Sequence, residues 1–194
     1  MKKFFKKLFF KIYAESRISF YKLLSNNKIE GPIRFIQATQ VVGLGKIISH
    51  KNVKIGYFPS PYFFSTYAYL EARKPNSLIK IGENTHINNG FVAIAENSSI
   101  KIGKNCFIGT RVEILDSDFH SLSWKDRTDG VEHLSNPIQI GDNVFIGSNV
   151  KILKGVSVGD GAVIANSAVV TRDIPPNTLA AGIPATVIRE INNG

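Results

Sequence analysis

Residues 140–171 read IGDNVF-IGSNVK-ILKGVS-VGDGAV-IANSAV-VT, and this stretch decides the fold. An aliphatic residue returns at every sixth position from Ile140 to Val170. A strand repeats every two residues and an amphipathic helix about every 3.6, so neither explains the pattern. A period of six suits a triangular coil, in which the aliphatic residue points inward and Gly, Asn or Asp turns each corner. The sequence therefore predicts an all-β solenoid whose turns of about eighteen residues bury one continuous core.

Away from this stretch the six-residue period continues, with interruptions. It is regular again from Ile81, although one turn there needs 21 residues and predicts a bulge near residues 93–98. It is ragged over residues 36–56, as terminal repeats often are. An aromatic stretch at 57–77 and a polar stretch at 121–137 then break it. Because the rest of the solenoid is regular, a long excursion is a place where function is expected.

These breaks divide the chain into three predicted regions. Residues 1–30 form a helix and a linker, residues 31–186 the solenoid domain with its excursion loop, and residues 187–194 a short tail. The chain has 194 residues, of which 43% are apolar. This length and composition suit one core and indicate no second large domain.

Residues 1–24 have the spacing of a basic amphipathic helix. Large apolar residues such as Phe9 and Ile12 fall on one face, and lysines fall largely on the other. Aromatic residues opposite lysines are typical of a helix that lies in a membrane interface. The alternatives are a helix that packs on the coil or on a neighbouring subunit, and an uncleaved targeting segment.

The distribution of charge and the single cysteine limit the classes of function. The first 22 residues hold six lysines and Arg17 against Glu15, so they carry most of the net charge of +9. A nucleic-acid-binding protein would spread basic charge over its folded surface, so no nucleic-acid partner is expected. Cys106 allows no intramolecular disulfide, and its place in the repeat predicts a core thiol. A reducing cytoplasm is the expected compartment, and no run approaches the roughly twenty apolar residues of a membrane span.

Residues 79–191 resemble the hexapeptide-repeat acyltransferases, in the branch of galactoside, maltose and nodulation-factor O-acetyltransferases and of capsule or lipopolysaccharide acetyltransferases. The resemblance is carried by IGDNVFIGS at 140–148, by residues 158–173, by PPNTLAAGIPATVIR at 175–189, and by His120 at the end of a coil. It implies a left-handed parallel β-helix and a homotrimer. It also implies acetyl-coenzyme A, with no metal, in the groove between adjacent prisms.

The resemblance implies that His120 is the general base that takes the proton of an acceptor hydroxyl. Elementary chemistry agrees, because a hydroxyl is a poor nucleophile at neutral pH and imidazole is well tuned to accept its proton. Asp116 and Asp118 lie just upstream and either orient the imidazole or are solvated corner residues. The backbone amide of Ser148, on the facing subunit, is implied as the donor to the oxyanion.

Further positions are implied for acetyl-coenzyme A. Phe145 stands where relatives commonly carry Trp, and Asn166 falls where a backbone group contacts the pantetheine arm. Thr171, Arg172 and Arg189 would lie near the nucleotide and its phosphates. The alternative for the two arginines is an ordinary surface position.

The acceptor site is less well marked in the sequence. Asn88 aligns with a family asparagine that binds the sugar, and an amide can both donate to and accept from a hydroxyl. Arg127 and His133 in the excursion, and His86, are further candidates. The aromatic cluster at 57–69 could stack on a sugar ring, or pack on itself or at a subunit interface.

The expected function is O-acetylation of a sugar hydroxyl of a bacterial surface polysaccharide, at the inner face of the cytoplasmic membrane. The nearest rivals are N-acetylation of a nucleotide-linked amino sugar, for which Asp116, Asp118 or Glu132 could supply a carboxylate, and O-acetylation of a small sugar or xenobiotic. A zinc hydrase resembling gamma carbonic anhydrase is disfavoured, because no two histidines fall five apart. A non-catalytic scaffold is disfavoured by His120 at the loop edge.

Overall fold

The computed structural model of the chain describes residues 2–127 and 134–192, with side chains of the first helix from residue 8 onward. Three sheets, here called A, B and C, run along a triangular prism, and each of six turns gives one strand to each sheet. Within each sheet, the strands of successive turns pair in parallel. The predicted fold, a left-handed parallel β-helix with an N-terminal helix, is confirmed.

The strands follow one another in the order A, B, C along the chain. Sheet A contains β1 Ile29–Glu30, β4 Lys46–Ser49, β7 Leu78–Ile81, β10 Ser99–Ile102, β13 Ile138–Ile140 and β16 Ser157–Val158. Sheet B contains β2 Ile33–Phe35, β5 Val53–Ile55, β8 His86–Ile87, β11 Phe107–Ile108, β14 Phe145–Ile146, β17 Val163–Ile164, β19 Thr178–Gly182 and β20 Ala185–Glu190. Sheet C contains β3 Thr39–Gly43, β6 Ala68–Ala72, β9 Val92–Ala95, β12 Glu113–Leu115, β15 Lys151–Leu153 and β18 Val169–Val170.

The aliphatic residue of each repeat points into the prism. Ile146 and Ile152 are fully buried, and in register Ile146 stacks between Ile108 and Ile164. Burying one such side chain contributes about 2–3 kcal/mol, so the stacked columns dominate the stability of the coil. Cys106 lies in this core as predicted, and burial raises the pKa of its thiol.

The corner between sheets A and B is turned by asparagines in the left-handed conformation. Asn84, Asn105 and Asn143 have φ values of 58°, 55° and 59°. Asparagine tolerates this conformation better than most residues with a Cβ. Their side chains also bond from turn to turn, Asn84 Nδ2 donating to Asn105 Oδ1 at 3.1 Å and Asn105 Nδ2 to Asn143 Oδ1 at 3.2 Å. The ladder fixes one edge of the prism.

Helix α1 (Lys2–Leu23) packs on the aromatic segment that follows β5. The ring of Phe10 stacks on Phe58 at 4.1 Å, and that of Tyr21 stacks on Tyr67 at 4.5 Å. Between them, the guanidinium of Arg17 donates hydrogen bonds to three backbone carbonyls of the segment, those of Phe63, Phe64 and Thr66. Much of the aromatic cluster is therefore a docking surface for α1, the packing alternative of the sequence analysis.

The aromatic interruption is shorter than the sequence indicated. It ends at Tyr67, because β6 begins at Ala68 and alternately buries Ala68, Leu70 and Ala72. Tyr69 and Glu71 are the outward residues of this strand. Because these outward residues are large or charged and the inward ones are small, the sequence pattern did not indicate a strand here.

The apolar face of α1 is divided in two. Tyr13 packs on Phe64 at 5.7 Å between ring centroids, whereas Phe9 and Ile12 are 73% and 58% exposed. Phe20 and Leu23 continue this second, exposed stripe. No helix in residues 2–127 or 134–192 is long and apolar enough to cross a bilayer.

Both ends of the coil differ slightly from the predicted boundaries. The first strand begins at Ile29, two residues before the expected start of the domain. Before it, Ser25 Oγ accepts a hydrogen bond from the amide of Val41 at 2.9 Å. Val41 lies on β3, the edge strand of sheet C, so this bond satisfies one amide of that edge. At the other end, residues 185–190 form β20, which pairs antiparallel with β19 and includes part of the expected tail.

Candidate active site

His120 lies on an exposed turn at the edge between sheets C and A, where the excursion leaves the coil after β12. The residue before it, Phe119, has a φ of 60°, which is uncommon for a bulky side chain. Such a conformation persists only where its surroundings impose it. An isolated antiparallel bridge between Ser117 and Ser135 brings the two ends of the excursion together beside this turn.

A chain of polar contacts imposes the conformation of the turn. The amide of Phe119 donates to Ser117 Oγ at 3.0 Å, and Ser117 Oγ in turn donates to Glu96 Oε2. Arg73 reaches Glu96 Oε1 at 3.5 Å and Glu71 Oε1 at 2.8 Å. Its guanidinium also lies 5.0 Å from the centre of the Phe119 ring. The hydrogen bond to Glu71 raises the pKa of Arg73, which stays charged.

Sequence reasoning did not find Arg73, Glu96 or Ser117. The one available signal was the predicted bulge near 93–98, because Glu96 lies in the three residues that separate β9 from β10. Ser117 is 21 residues further along, and Arg73 is 23 residues before Glu96. No local pattern joins residues so far apart.

The two aspartates near His120 have other partners. Asp116 is fully buried, and its carboxylate accepts hydrogen bonds from the amides of Glu96 at 2.7 Å and Ser98 at 3.0 Å. Burial raises the pKa of Asp116. Asp118 forms an ion pair with Lys154. Asp116 thus holds the bulge that carries Glu96, and it supports the turn at a distance.

Ser148 and Asn166 lie on a different edge, between sheets B and C. The amide of Ser148 donates to Asn166 Oδ1 at 2.7 Å, and the flanking amides of Gly147 and Asn149 donate to the carbonyls of Ile164 and Thr110. Asp160 makes the same kind of bond to the amide of Asp142 at another corner. The side chain of Asn166 therefore braces the corner, and an oxyanion at Ser148 would share that amide with it.

The residues implied for acetyl-coenzyme A are spread over the prism. Thr171 and Arg172 directly follow β18 and are exposed on the edge that carries His120, two turns further along. Arg189 is exposed on β20, where its Nη1 donates to the carbonyl of Glu190 at 3.2 Å. Phe145 stands on the outer face of sheet B, 51% exposed.

Asn88 lines a groove of about 450 Å³ on the outer face of sheet B. His86, Phe107 and Phe145 line the same groove. Burial, and next the charge of Lys54, lower the pKa of His86 below its ordinary value of 6.5, which favours the neutral imidazole at pH 7. The imidazole of His86 and the amide of Asn88, beside two aromatic rings, suit the uncharged and hydroxylated part of a ligand.

Arg127 lies in the described part of the excursion, which is residues 121–127 and 134–137. Arg127 donates to the carbonyls of Ser121 and Leu122, both at 3.3 Å, so its guanidinium ties the loop to itself. Glu132 and His133 lie outside the described residues. Within the ranges 2–127 and 134–192, no group of three or more His, Cys, Asp or Glu side chains is arranged to hold a metal ion.

The candidate residues therefore fall on two separate edges of one prism. His120, Thr171 and Arg172 follow strands of sheet C, whereas Asn88, Ser148 and Asn166 follow strands of sheet B. One chain does not bring the two sets together. A site built from all of them requires the edges of two copies to meet.

Comparison with known protein families gives matches in the coil. Residues 137–172 match the model described as bacterial transferase hexapeptide (six repeats), and residues 99–114 match that of the hexapeptide repeat of succinyl-transferase. The galactoside O-acetyltransferase of Escherichia coli is 42% identical over 125 residues, which cover 62% of this chain and 61% of that protein. The chain spans about three-fifths of the length of the curated relatives that it matches first.

Solved structures share the fold over most of the chain. A hexapeptide-repeat acetyltransferase from Vibrio cholerae, complexed with acetyl coenzyme A, has a TM-score of 0.57 and 26% identity, covering 92% of this chain and 87% of that one. An acetyltransferase specific for polySia has a TM-score of 0.64 and 25% identity, covering 86% of this chain and 83% of that one.

Proposed function

We propose that this chain, which belongs to the hexapeptide-repeat acyltransferase superfamily, is an acetyl-coenzyme A-dependent O-acetyltransferase that acts on a sugar hydroxyl of a bacterial surface polysaccharide. The relatives named above are an acetyltransferase of galactosides and one of polySia, and a structural neighbour binds acetyl coenzyme A. These likenesses support acetyl-coenzyme A as the cosubstrate and a saccharide as the acceptor.

The observation that carries the proposal is the construction of the His120 turn. A left-handed Phe119 is held by Ser117 and Glu96, and Arg73 packs on its ring. Ordering charged groups and a strained residue at a rim costs free energy. Such an arrangement is typical of a side chain that must be presented in one orientation for chemistry.

In the proposed mechanism His120 acts as the general base. Its imidazole takes the proton of the acceptor hydroxyl as the oxygen attacks the thioester carbonyl, which forms a tetrahedral intermediate. The C–S bond then breaks, and the imidazolium returns the proton to the departing thiolate of coenzyme A. The negative oxygen of the intermediate is stabilised by the amide of Ser148, which it shares with Asn166. No acyl-enzyme forms.

The active unit of this proposal is a homotrimer. The edge with His120 and the edge with Ser148 lie apart in one prism, so a complete site needs the first edge of one copy and the second edge of another. A head-to-tail contact of this kind closes into a ring when the rotation allows it. Three copies would then share three equivalent sites, with Thr171, Arg172 and Arg189 towards the nucleotide and Asn88 towards the acceptor.

The exposed stripe of α1 supports attachment to the inner face of the cytoplasmic membrane. Packing on the solenoid leaves Phe9, Ile12, Phe20 and Leu23 exposed, and six lysines lie in the first 22 residues. A helix with exposed large apolar residues and several lysines binds an anionic interface. At that surface the enzyme would meet glycans during their assembly.

The test is release of coenzyme A from acetyl-coenzyme A with capsule and O-antigen fragments as acceptors. The His120→Ala variant is expected to lose about 10²–10⁴-fold in rate, because general base catalysis is removed. His50→Ala is the matched control, since His50 is also exposed and follows a strand of sheet A. Equal rates for the native protein and the His120 variant would remove the base from the mechanism. No acceptor-dependent release with any fragment would reject the proposed acceptor class.

A further inference from the structure

Five outward side chains form a single column across sheet B. Register places Arg34 beside Lys54, Lys54 beside His86, His86 beside Phe107, and Phe107 beside Phe145. Neighbouring strands are about 4.8 Å apart, so the column extends for roughly 19 Å along the prism. It is cationic at its first two positions and aromatic at its last two.

The column forms the floor of the groove described above. All five of its residues line this groove of about 450 Å³, a size common for small-ligand pockets. Among the described residues that line it, none is Asp or Glu. The positive potential of the two cations is therefore not cancelled by acidic groups of the groove.

In the part of the chain that the structure describes, the two cations of the column are left without an ion-pair partner, whereas two lysines of sheet C have one. Within the described ranges, neither the guanidinium of Arg34 nor the ammonium of Lys54 makes an ion pair or a hydrogen bond. By contrast, Lys151 and Lys154 on sheet C pair with carboxylates. Two adjacent like charges repel each other, and an anion placed between them would relieve that repulsion.

The aromatic half of the column suits the other part of a sugar. Phe107 and Phe145 are 57% and 51% exposed and stand on adjacent strands, so together they offer an apolar platform. The apolar C–H face of a sugar ring packs on such a surface, while Asn88 and neutral His86 can bond its hydroxyls. A ring on Phe107 lies two strands, about 10 Å, from Lys54. This distance is bridged by an oligosaccharide of two or three units.

We propose that this column binds an acidic saccharide, with a carboxylate on Arg34 and Lys54 and a sugar ring on Phe107 and Phe145, which assigns Phe145 to the acceptor rather than to acetyl-coenzyme A. This inference rests on the proposed acetyl transfer, and it assigns the acceptor to sugars that carry a carboxylate. Arg34 supplies a planar fork that can hold the carboxylate through two hydrogen bonds, and Lys54 adds a second charge.

Binding is tested by calorimetry with acidic oligosaccharides and their neutral methyl esters, without acetyl-coenzyme A. The probes are trigalacturonate and sialyllactose, each beside its ester. The native protein should bind the acid of at least one pair about tenfold more tightly than its ester, because charge-assisted bonds are lost on esterification. Arg34→Gln with Lys54→Gln should abolish this preference. Lys80→Gln with Lys101→Gln is the matched control, since these exposed residues are neighbours on sheet A and carry the same charge.

The outcomes separate this inference from the proposed enzyme. The inference would be overturned if the native protein bound acid and ester equally, or if it bound none of the four probes. It would also be overturned if the variant of Arg34 and Lys54 kept the preference for the acid. A change in the oligomeric mass of that variant, measured by light scattering, would show that the column is covered by a second copy and would also overturn it. A charge preference lost only in that variant, with no acetyl transfer to the bound acid, would support the site and reject the enzyme.

Discussion

The amide of Ser148 donates to Oδ1 of Asn166 across 2.7 Å, from one turn of the β-helix to the next. If this amide also stabilises the oxyanion, the charge of residue 166 must affect the reaction. Asn166→Asp should fold normally, since Asp160 makes the same bond at another corner. We expect its kcat to fall about 10²-fold, because a carboxylate opposes the oxyanion at close range. An unchanged kcat at unchanged thermal stability would exclude Ser148 as the donor.

Mixed trimers test whether each site is shared between copies. We expect His120→Ala and Asn166→Asp to be almost inactive alone, yet active when the two are unfolded and reassembled together in equal amounts. In a random ring, about a quarter of the interfaces join an intact His120 edge to an intact Asn166 edge. The measurement is the specific activity of the mixture relative to native protein. A mixture no more active than the average of its components would show that one chain holds the whole site.

Ser117→Ala should separate positioning from stability. The change leaves the amide of Phe119 without its acceptor and frees the turn that presents His120. We expect kcat to fall about tenfold or more, while KM for acetyl-coenzyme A stays near the native value. The free energy of unfolding should fall by about 1 kcal/mol. Ser121→Ala is the control, because Ser121 Oγ accepts from the amide of Ser123 in the same way. Equal kinetic effects of the two variants would contradict the role of Ser117.

Asp116 predicts a pH dependence of stability. Burial raises its pKa in the folded chain above the ordinary value of 3.8. The stabilisation from its protonated form is therefore full below that value and is lost as the pH rises through the folded pKa. Asp116→Asn does not titrate, so the native protein should lose stability relative to this variant as the pH rises from 4. Urea unfolding of both proteins between pH 4 and 8 measures the difference, and a constant difference would contradict the prediction.

The exposed stripe of α1 predicts binding to anionic vesicles. The Phe9→Ser and Ile12→Ser double variant should bind phosphatidylglycerol vesicles at least about tenfold more weakly at unchanged stability, because both residues are exposed in the free protein. Phe10→Ser is the contrasting change. It should lower stability, since Phe10 packs on Phe58 and Phe63. Cosedimentation and thermal unfolding give the two readouts, and native protein that ignores anionic vesicles would refute membrane attachment.

The coil could be predicted because its signal is local. Within each repeat of six residues, the place of the aliphatic residue identifies the side chain that points inward. Ile146 and Ile152 could therefore be assigned to the core without knowledge of the strands that pack beside them. The same reasoning missed β6, where the small inward residues Ala68 and Ala72 alternate with large polar ones. It also merged the two faces of α1, since helical spacing gives a direction for Tyr13 and Phe9 and does not say which one meets the protein.

The support of His120 could not be predicted, because it depends on pairing between distant turns. Arg73, Glu96 and Ser117 meet only because β6, β9 and β12 are neighbours in sheet C. The division of the candidate site between two edges was hidden for a similar reason. Residues such as Ser148 and His120 are close to their own strands in sequence, and only the order of the sheets shows that they lie apart.

The bridge between Ser117 and Ser135 allows the excursion to change in length and sequence without a change in the coil. The segment departs and returns at adjoining points, so a different length adds only the small entropy of a larger loop, about 0.6 kcal/mol for each doubling. The isoleucine columns above and below keep their spacing whatever the segment contains. The part of the excursion beyond the His120 turn can therefore change while the base and the coil are kept, and a new acceptor can be recruited without a new scaffold.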